Sequence, residues 1–518
     1  MTRTSVKARF LVSIGANILR SILSFLTGLL VARGLTPAGY GDLAYLLGSF
    51  LAIRVLMDMG SSNAFYTFIS QQARGRKFYL MYYTWLIIQF MVSVLLVSVL
   101  MPQTLIDHIW LGHSRKLILL ALLAAFMQQQ VWATVTQLGE STRQTLKVQL
   151  LGLSVIASHS VVIVALYFAN WLSITTVLVA ITCEYLLATM VSTKLLFSTS
   201  HDKAEAPDQS MKEIFGEYWI FCRPLILLAV ASFIYEFVDR WMLQRYAGSI
   251  QQGFYQISAQ LAGVCLLATA SILNIFWKEI SEANARQDKQ RVAYLYNKVN
   301  RGLLMIGAVM SCFMFPWAEE IVILLLGTAY QKSWPVFAIM LMYPIHQSMG
   351  QVNGTMFLAC AHTKTFTVIA IIGQIASIPI TYLLLASSSD ILVPGLALGA
   401  LGLAIKMVGM NILLVNIQAW LIARLNGWKY EWKYQVVGIT LVFTLGYIIK
   451  VAICYFIPTA LLVTEKLSFI FAILLSGAVY LFGIGVFLWF YPQIAGIDKV
   501  EFRSLIFKCI PLRRRMVD

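Results

Sequence analysis

Residues 11–31 read LVSIGANILRSILSFLTGLLV, a largely apolar stretch in which Arg20 is the one charged residue. An α-helix rises about 1.5 Å per residue, so about 20 apolar residues cross the roughly 30 Å hydrocarbon core of a bilayer. This stretch therefore predicts a membrane-spanning helix, and similar stretches follow it along the chain.

These apolar stretches recur through all 518 residues. Hydrophobic residues make up 59% of the chain and charged residues 12%, with a mean hydropathy of +0.77, whereas soluble proteins carry roughly 25% charged residues. Long runs of Leu, Ile, Val and Ala favour helices, because barrel strands alternate polar and apolar residues. We predict an all-α integral membrane protein with about fourteen transmembrane helices, near residues 10–31, 43–69, 79–101, 117–138, 148–169, 172–196, 217–244, 254–277, 302–318, 335–359, 366–386, 392–416, 435–457 and 468–491.

The basic residues are distributed unevenly between these segments. Of 39 Lys and Arg, 27 lie in the two tails and the even-numbered connections, counting Lys194 at a segment end with the connection that follows it, 6 lie in the odd-numbered connections and 6 inside apolar segments. Cytoplasmic loops carry the excess of Lys and Arg in membrane proteins. Both termini are therefore predicted to be cytoplasmic, and the net charge of +16 reflects membrane topology rather than binding of nucleic acid.

A polar segment at the middle of the chain divides twelve of the predicted helices into two sets of six. We predict an N-terminal six-helix bundle at residues 1–200, a cytoplasmic linker at 201–216 and a C-terminal six-helix bundle at 217–425. Residues 426–518 are predicted to hold two additional helices and a basic cytoplasmic tail.

A weak internal repeat supports this division. The motif Gln130–Thr134 (QVWAT) returns in the second half of the chain as Gln351–Thr355 (QVNGT), and Gly39-Tyr40 returns at a similar offset as Gly253-Phe254. Six helices bring the chain back to its starting side, so two such halves have the same orientation. A cavity is expected between them.

Six basic residues lie inside the apolar segments: Arg20, Arg54, Arg223, Arg240, Lys406 and Lys450. A charge at the centre of a membrane helix costs roughly 2.5 to 3.5 kcal/mol on insertion scales, so each should face a cavity or a partner. Arg223 and Lys450 lie nearer to segment ends, where long side chains extend to the headgroups. The other four are candidates for binding an anionic substrate.

The neighbours of these four cations differ. Arg20 belongs with Asn17 to a row of polar residues spaced three or four apart, which places them on one helix face. Arg20 and Lys406 have no acidic residue within four positions. The other two have acids close by in the sequence. Arg54 is followed by Asp58, and Arg240 is preceded by Glu236 and Asp239. The sequence leaves open whether these acids form internal ion pairs or take part in ion coupling.

Glu184 and His159 also lie inside apolar segments, and a proton-coupled carrier uses such groups. A packing role is the alternative for each, and coupling to H⁺ or Na⁺ stays open.

The seven Cys include no CxxC pair, and His108 and His113 have no further ligands nearby, so no metal site or cofactor is predicted. No Gly-rich phosphate-binding loop is present, and the odd-numbered connections hold few charges, so no enzyme activity is predicted.

Short motifs in both halves carry a family resemblance. The stretch Ala32–Gly41 (ARGLTPAGYG) resembles the polysaccharide-transporter branch of the multidrug/oligosaccharidyl-lipid/polysaccharide (MOP) exporter superfamily, to which O-antigen flippases belong. Further matches are Asp58-Met59-Gly60, Asp239-Arg240 and Gly253-Phe254-Tyr255. The sequence departs from the common pattern at Trp277, where a Pro is frequent.

The resemblance implies two six-helix bundles that move a lipid-linked oligosaccharide, typically on undecaprenyl diphosphate, across the bacterial inner membrane by alternating access. A cationic lumen would hold the diphosphate or acidic sugars, with Arg20, Arg54, Arg240 and Lys406 as candidates by position. Membrane lipids, a polysaccharide polymerase and glycosyltransferases are the expected partners.

Three alternatives remain at this stage. A flippase for the peptidoglycan precursor lipid II belongs to the same superfamily and also has fourteen spans. A cation-coupled multidrug exporter is expected to have twelve spans and an acid-dominated cavity, which the surplus of basic residues argues against. A membrane-bound glycosyltransferase would transfer sugar by itself.

Overall fold

The computed structural model describes residues 6–197, 209–267, 269–389, 393–456 and 466–497. This part of the chain consists of helices and their connections and contains no strand, which confirms the all-α prediction. Residues 201–208 of the predicted linker and residues 498–518 of the predicted basic tail lie outside the described residues.

The helices before the middle of the chain are α1 (Val6–Asp58), α2 (Ser61–Gln71), α3 (Arg76–Leu95), α4 (Gln103–Ile109), α5 (Arg115–Phe126), α6 (Trp132–Ser141), α7 (Thr145–Phe168) and α8 (Ile174–Phe197). Two π-helical turns, Leu96–Leu100 and Met127–Val131, extend α3 and join α5 to α6. Short connections between successive helices are typical of antiparallel membrane spans.

The remaining helices are α9 (Met211–Cys222), α10 (Ile226–Gly263), α11 (Thr269–Ala285), α12 (Lys289–Met314), α13 (Ala318–Leu326), α14 (Trp334–Met340), α15 (Tyr343–Ala359), α16 (Thr363–Leu385), α17 (Gly399–Asn426), α18 (Lys433–Phe456) and α19 (Lys466–Phe490). A capping box starts α9: the Glu213 amide donates to Ser210 Oγ (3.2 Å), and the Ser210 amide donates to Glu213 Oε2 (2.9 Å). Such reciprocal bonds satisfy amides that the first helical turn leaves without partners.

Ten helical stretches of the described residues are long and apolar enough to cross a membrane, and a bent pair, α12 with α13, makes an eleventh. Two of the ten, Gly15–Asp58 and Met211–Leu266, have 44 and 56 residues. Each is at least twice the roughly 20 residues that one crossing needs, so each has room for two crossings. The multi-pass membrane fold is thus confirmed, and the number fourteen stays a prediction.

Both long stretches contain a kink. In α1 the kink lies at Thr36 (φ 62°, ψ 169°), directly before Pro37, and in α10 it lies at Gly248 (φ 80°, ψ 176°). Proline disfavours helical backbone angles in the residue before it. The two kinks have nearly the same backbone conformation, and their separation along the chain is close to that of the two copies of the Gly39-Tyr40 repeat.

The chain divides into two compact units. The first comprises residues 1–256 and 374–403, and the second comprises residues 257–373 and 404–518. In the first unit, α2, α3 and α9 bury a cluster that includes Phe65, Phe78 and Tyr218. In the second unit, α11, α12, α15 and α17 bury a cluster that includes Tyr296 and Phe357. The predicted bundle boundaries near residues 200 and 425 stay predictions.

Candidate functional site

Arg20 lies between α1 and α7 in the first unit. Its guanidinium donates hydrogen bonds to Asn17 Oδ1 and Gln149 Oε1, and the amide of Gln149 in turn donates to Glu140 (3.3 Å). A Cβ atom at Gly152 would stand 2.7 Å from Arg20 Nη1. Gly152 therefore leaves the space that the guanidinium occupies, and two amide side chains hold it in place.

Arg54 and Asp58 are connected through a side-chain amide. Arg54 Nε donates to Gln130 Oε1 (2.7 Å), and Gln130 Nε2 donates to Asp58 Oδ1 (3.3 Å). Asp58 Oδ1 also accepts from the Ser62 amide (3.0 Å) and hydroxyl (2.6 Å) at the start of α2. Asp58 thus binds the first turn of α2, and Gln130 bridges Asp58 and Arg54.

Arg54 borders a small cavity of about 30 Å³, whose polar lining also includes Gln89, Ser93 and Gln130. A space of this size accommodates about two water molecules. Polar lining groups make such a site suitable for water. The guanidinium of Arg54 therefore lies beside a small cavity that is lined mostly by apolar side chains, with a few polar groups among them.

Gln130 belongs to the π-helical turn Met127–Val131, which contains three consecutive glutamines. Gln130 faces Arg54, while Gln128 donates to the hydroxyl of Tyr185 on α8 (3.4 Å). Single π-helical turns are frequent at functional sites because they change which side chains face a given neighbour. The sequence did not lead us to predict this π-helical turn. The run of three glutamines inside an apolar segment is the feature that could have indicated it.

Arg240 lies on α10 and contacts α1. Its Nη1 is 3.6 Å from Glu236 Oε2 and also donates to the carbonyl oxygen of Gly48 (3.4 Å). A Cβ atom at Gly48 would stand 2.6 Å from Arg240 Nε, so this glycine too leaves space for an arginine. The adjacent Asp239 is buried and accepts a hydrogen bond from Thr381 (2.8 Å).

Lys406 and Lys450 lie in the second unit. Lys406 is deeply buried, with 2% of its surface exposed, and its Nζ is 4.0 Å from Met407 Sδ. Lys450 Nζ is 2.5 Å from Glu320 Oε1 and donates to the carbonyl oxygen of Pro316 (2.6 Å). Lys450 therefore has a carboxylate partner within the unit, a contact that the sequence did not indicate.

The two kinks of the first unit meet at a pair of glycines. A Cβ atom at Gly41 would stand 1.8 Å from the carbonyl oxygen of Ser249, and one at Gly253 would stand 2.1 Å from that of Pro37. Asp42, next to Gly41, accepts a hydrogen bond from Gln244 (2.9 Å). The backbones after the two kinks are thus in direct contact, and side chains at these positions would separate them.

His159 on α7 and Glu184 on α8 are brought together, with Nδ1 2.6 Å from Oε2. Among the candidate residues, Arg20, Arg54 and Arg240 contact three different sets of neighbours, and Asp58 accepts from Ser62 in the first turn of α2. No group of three or more metal-ligating side chains is present among the described residues.

Solved structures with a similar fold are membrane transporters. The lipid II flippase MurJ in an inward closed conformation matches with a TM-score of 0.66 and 16% identity, over 92% of this chain and 98% of that one. A multidrug resistance MATE family transporter of the MOP superfamily matches in its inward-facing conformation (TM-score 0.54, 13% identity, 81% and 99% coverage) and a similar one in its outward-facing conformation (0.52, 12%, 81% and 94%). The fold is therefore that of a MOP transporter.

The sequence places the chain within this class. Residues 6–277 match the family model described as "Polysaccharide biosynthesis protein". The chain belongs to this family, in the polysaccharide-transporter branch of the MOP superfamily, which confirms the resemblance found in its motifs. No curated protein matches it.

Proposed function

We propose that this protein is a flippase that moves a lipid-linked oligosaccharide, carried on undecaprenyl diphosphate, from the inner to the outer leaflet of the bacterial inner membrane. The product would enter surface polysaccharide or O-antigen synthesis. The observation that carries the proposal is membership of a polysaccharide biosynthesis family by a chain with a transporter fold. A polymerase would use the translocated unit, and glycosyltransferases would supply it.

The cations within the membrane fit such a substrate. A diphosphate has several anionic oxygens, and guanidinium groups bind phosphate oxygens with paired, charge-assisted hydrogen bonds. Arg20 and Arg240 each lie against a glycine, and Arg54 borders a small cavity that also has Gln89, Ser93 and Gln130 in its lining. With Lys406 and Asn17, they are our candidates for contacting the headgroup and the sugars.

Leaflet assays test the proposed reaction directly. Depleting the protein in its host should make lipid-linked glycan accumulate on the cytoplasmic leaflet and should reduce the surface polymer. The cells should express the glycosyltransferases normally, so that synthesis of the substrate is unchanged. Unchanged surface glycan without cytoplasmic accumulation would refute the proposal.

Alanine substitution tests the role of the cations. Arg20→Ala, Arg54→Ala, Arg240→Ala and Lys406→Ala are compared at matched protein levels, with Lys116→Ala as the control. Lys116 is an exposed cation at the start of α5. We expect reduced export for the first four variants and normal export for the control. Normal export by all five would show that transport does not depend on these four cations. The cationic substrate site would then be refuted, and the family assignment would be unaffected.

A lipid II flippase is the second candidate, because the fold of MurJ matches over most of both chains. Whether the cell needs the gene for growth separates an oligosaccharide flippase from a lipid II flippase. If deletion leaves cell shape intact and removes only a surface polymer, lipid II is not the substrate. A change in drug sensitivity on deletion would instead favour multidrug export, and sugar transfer by the purified protein would favour an enzyme.

A further inference from the structure

The contact between His159 and Glu184 joins two helices near their middles. Each of α7 and α8 has 24 residues, and the two side chains lie well inside them. His159 Nδ1 is 2.6 Å from Glu184 Oε2, and the side chains are 24% and 11% exposed. A short contact of this kind holds a proton between an imidazole and a carboxylate.

The second carboxylate oxygen of this pair makes the site unusual. Glu184 Oε1 is buried and has no hydrogen-bond partner among the described residues. A buried carboxylate oxygen without a donor is costly when the group is ionised and much less costly when it is protonated. The unpartnered Oε1 is therefore the atom of this pair at which a second proton could bind.

The neighbouring helices contribute few charged groups close to this pair. Helices α1, α5 and α6 and the turn Met127–Val131 pack against α7 and α8. Thr27 of α1 bonds Ser160, next to His159 (2.8 Å), and the nearest charged residues of α1 in sequence, Arg20 and Arg33, are at least six residues away, about 9 Å along a helix. On the other elements the titratable groups are Glu140 on α6 and Arg115 and Lys116 at the start of α5. On the two helices themselves, Tyr185 follows Glu184 directly, and Lys147 and Lys194 are ten or more residues from the pair.

The pair also differs from the other acid–base contacts of the first unit. Arg240 with Glu236 and Arg74 with Glu217 each contain a guanidinium, which stays protonated at physiological pH. His113 is 3.4 Å from Asp42, whose carboxylate also accepts from Gln244. An imidazole gains or loses its proton between about pH 5 and 8. His159 with Glu184 thus combines a titratable base with a carboxyl group that lacks other donors.

We propose that His159 and Glu184 form a membrane-embedded proton-binding site that couples transport to a proton gradient. This rests on the proposed flippase function. With one proton shared, the pair holds an imidazolium and a carboxylate and has no net charge. A second proton, taken from water on one side, converts the carboxylate to a carboxylic acid and leaves a net charge of +1. Loss of the ion pair loosens α7 from α8, and release of that proton to the other side restores the neutral pair.

Infrared difference spectroscopy of the reconstituted protein tests the site without requiring transport. Acidification should produce the carbonyl stretching band of a protonated carboxylic acid in the wild type. Glu184→Gln should remove that band, His159→Gln should move its appearance to a different pH, and Cys183→Ala, an exposed neighbour on α8, should leave it unchanged. An identical band in Glu184→Gln would overturn the proposal.

Transport in proteoliposomes tests the coupling. A pH difference should stimulate glycolipid translocation by the wild type and by Cys183→Ala, and this stimulation should be lost in Glu184→Gln while translocation without a gradient persists. Retained stimulation in Glu184→Gln would refute coupling through this site. If the wild type moves no glycolipid, the flippase function fails, and the infrared bands still decide whether the proton site exists.

Discussion

At the scale of single residues, the arginines of the first unit depend on glycines for their positions. Arg20 lies against Gly152, and Arg240 lies against Gly48. Both glycines are in helices, where alanine is normally favoured by roughly 1 kcal/mol. Their presence is explained by the space that each guanidinium fills.

Gly152→Ala should therefore impair transport while leaving the fold intact. The new Cβ atom would stand 2.7 Å from Arg20 Nη1, so the guanidinium has to shift, which disturbs its contacts with Asn17 and Gln149. A lost hydrogen bond to a charged group corresponds to roughly 1.5 to 3 kcal/mol, or at least a tenfold lower rate if the contact acts in the transport step. Export at matched expression is the measurement.

Gly15→Ala is the control for this substitution, since a Cβ atom there meets no heavy atom within 4 Å. Both variants should still unfold cooperatively on heating in detergent, as the wild type does. Equal export by the two variants would show that the position of Arg20 does not matter for transport.

Thr36 carries backbone strain. Its φ of 62° and ψ of 169° fall in a region occupied almost only by glycine, at a cost of roughly 1 to 3 kcal/mol for other residues. Gly248 has nearly the same angles in α10. Thr36→Gly should therefore raise the thermal unfolding temperature, and Gly248→Ala should lower it. The opposite order would mean that the Thr36 side chain stabilises the kink by more than its backbone strain costs.

At the scale of elements, the two copies of the repeated motif, Gln130–Thr134 and Gln351–Thr355, make comparable contacts within their units. Gln130 of the first unit bonds Arg54 of α1, and Gln351 of the second unit accepts from Thr269 of α11 (2.8 Å). Arg54 and Thr269 are separated along the chain by nearly the same distance as the two copies of the motif. The motif is thus a connection between two helices, repeated in each half of the chain.

Helix α18 is anchored to α13 by a partly buried ion pair. Lys450 Nζ lies 2.5 Å from Glu320 Oε1 and 5.0 Å from the centre of the Trp317 ring, and the two charged side chains are 20% and 15% exposed. Removing one member of such a pair leaves the other charge without compensation. Breaking the pair therefore lowers the free energy of unfolding by more than the intact pair contributes to it.

Lys450→Met alone should lower the free energy of unfolding by about 3 kcal/mol, because Glu320 is then left without its partner. Combining Lys450→Met with Glu320→Leu should recover most of this loss. A double-mutant cycle on denaturation midpoints in detergent provides the measurement. Additive losses in the double variant would show that the two residues act independently.

At the scale of the whole molecule, the distribution of basic residues predicts the sidedness of every connection. In an otherwise cysteine-free protein, Lys289→Cys lies in a predicted cytoplasmic connection and Lys332→Cys in a predicted external one, and both positions are exposed. A membrane-impermeant maleimide added to spheroplasts should label Lys332→Cys, and Lys289→Cys should react only after lysis. Reversed labelling would place the termini outside.

Composition and charge pattern determined the class of this protein. Lipid requires long apolar helices, and cytoplasmic loops retain Lys and Arg, so residues 11–31 and the distribution of basic residues were sufficient to predict a multi-pass helical protein. Short motifs added the family, because they include positions such as Gly41 and Gly253, where a close backbone contact leaves no room for a side chain.

Tertiary structure alone decided the partners of the charged residues. Gln149 is 129 residues from Arg20, Gln130 is 76 from Arg54 and Glu320 is 130 from Lys450, so helical spacing within one segment gave no indication of these contacts. The π-helical turn and the pairing of His159 with Glu184 likewise arise where helices distant in sequence pack together. Helical periodicity specifies which face of one helix is polar, and packing between helices specifies which group that face meets.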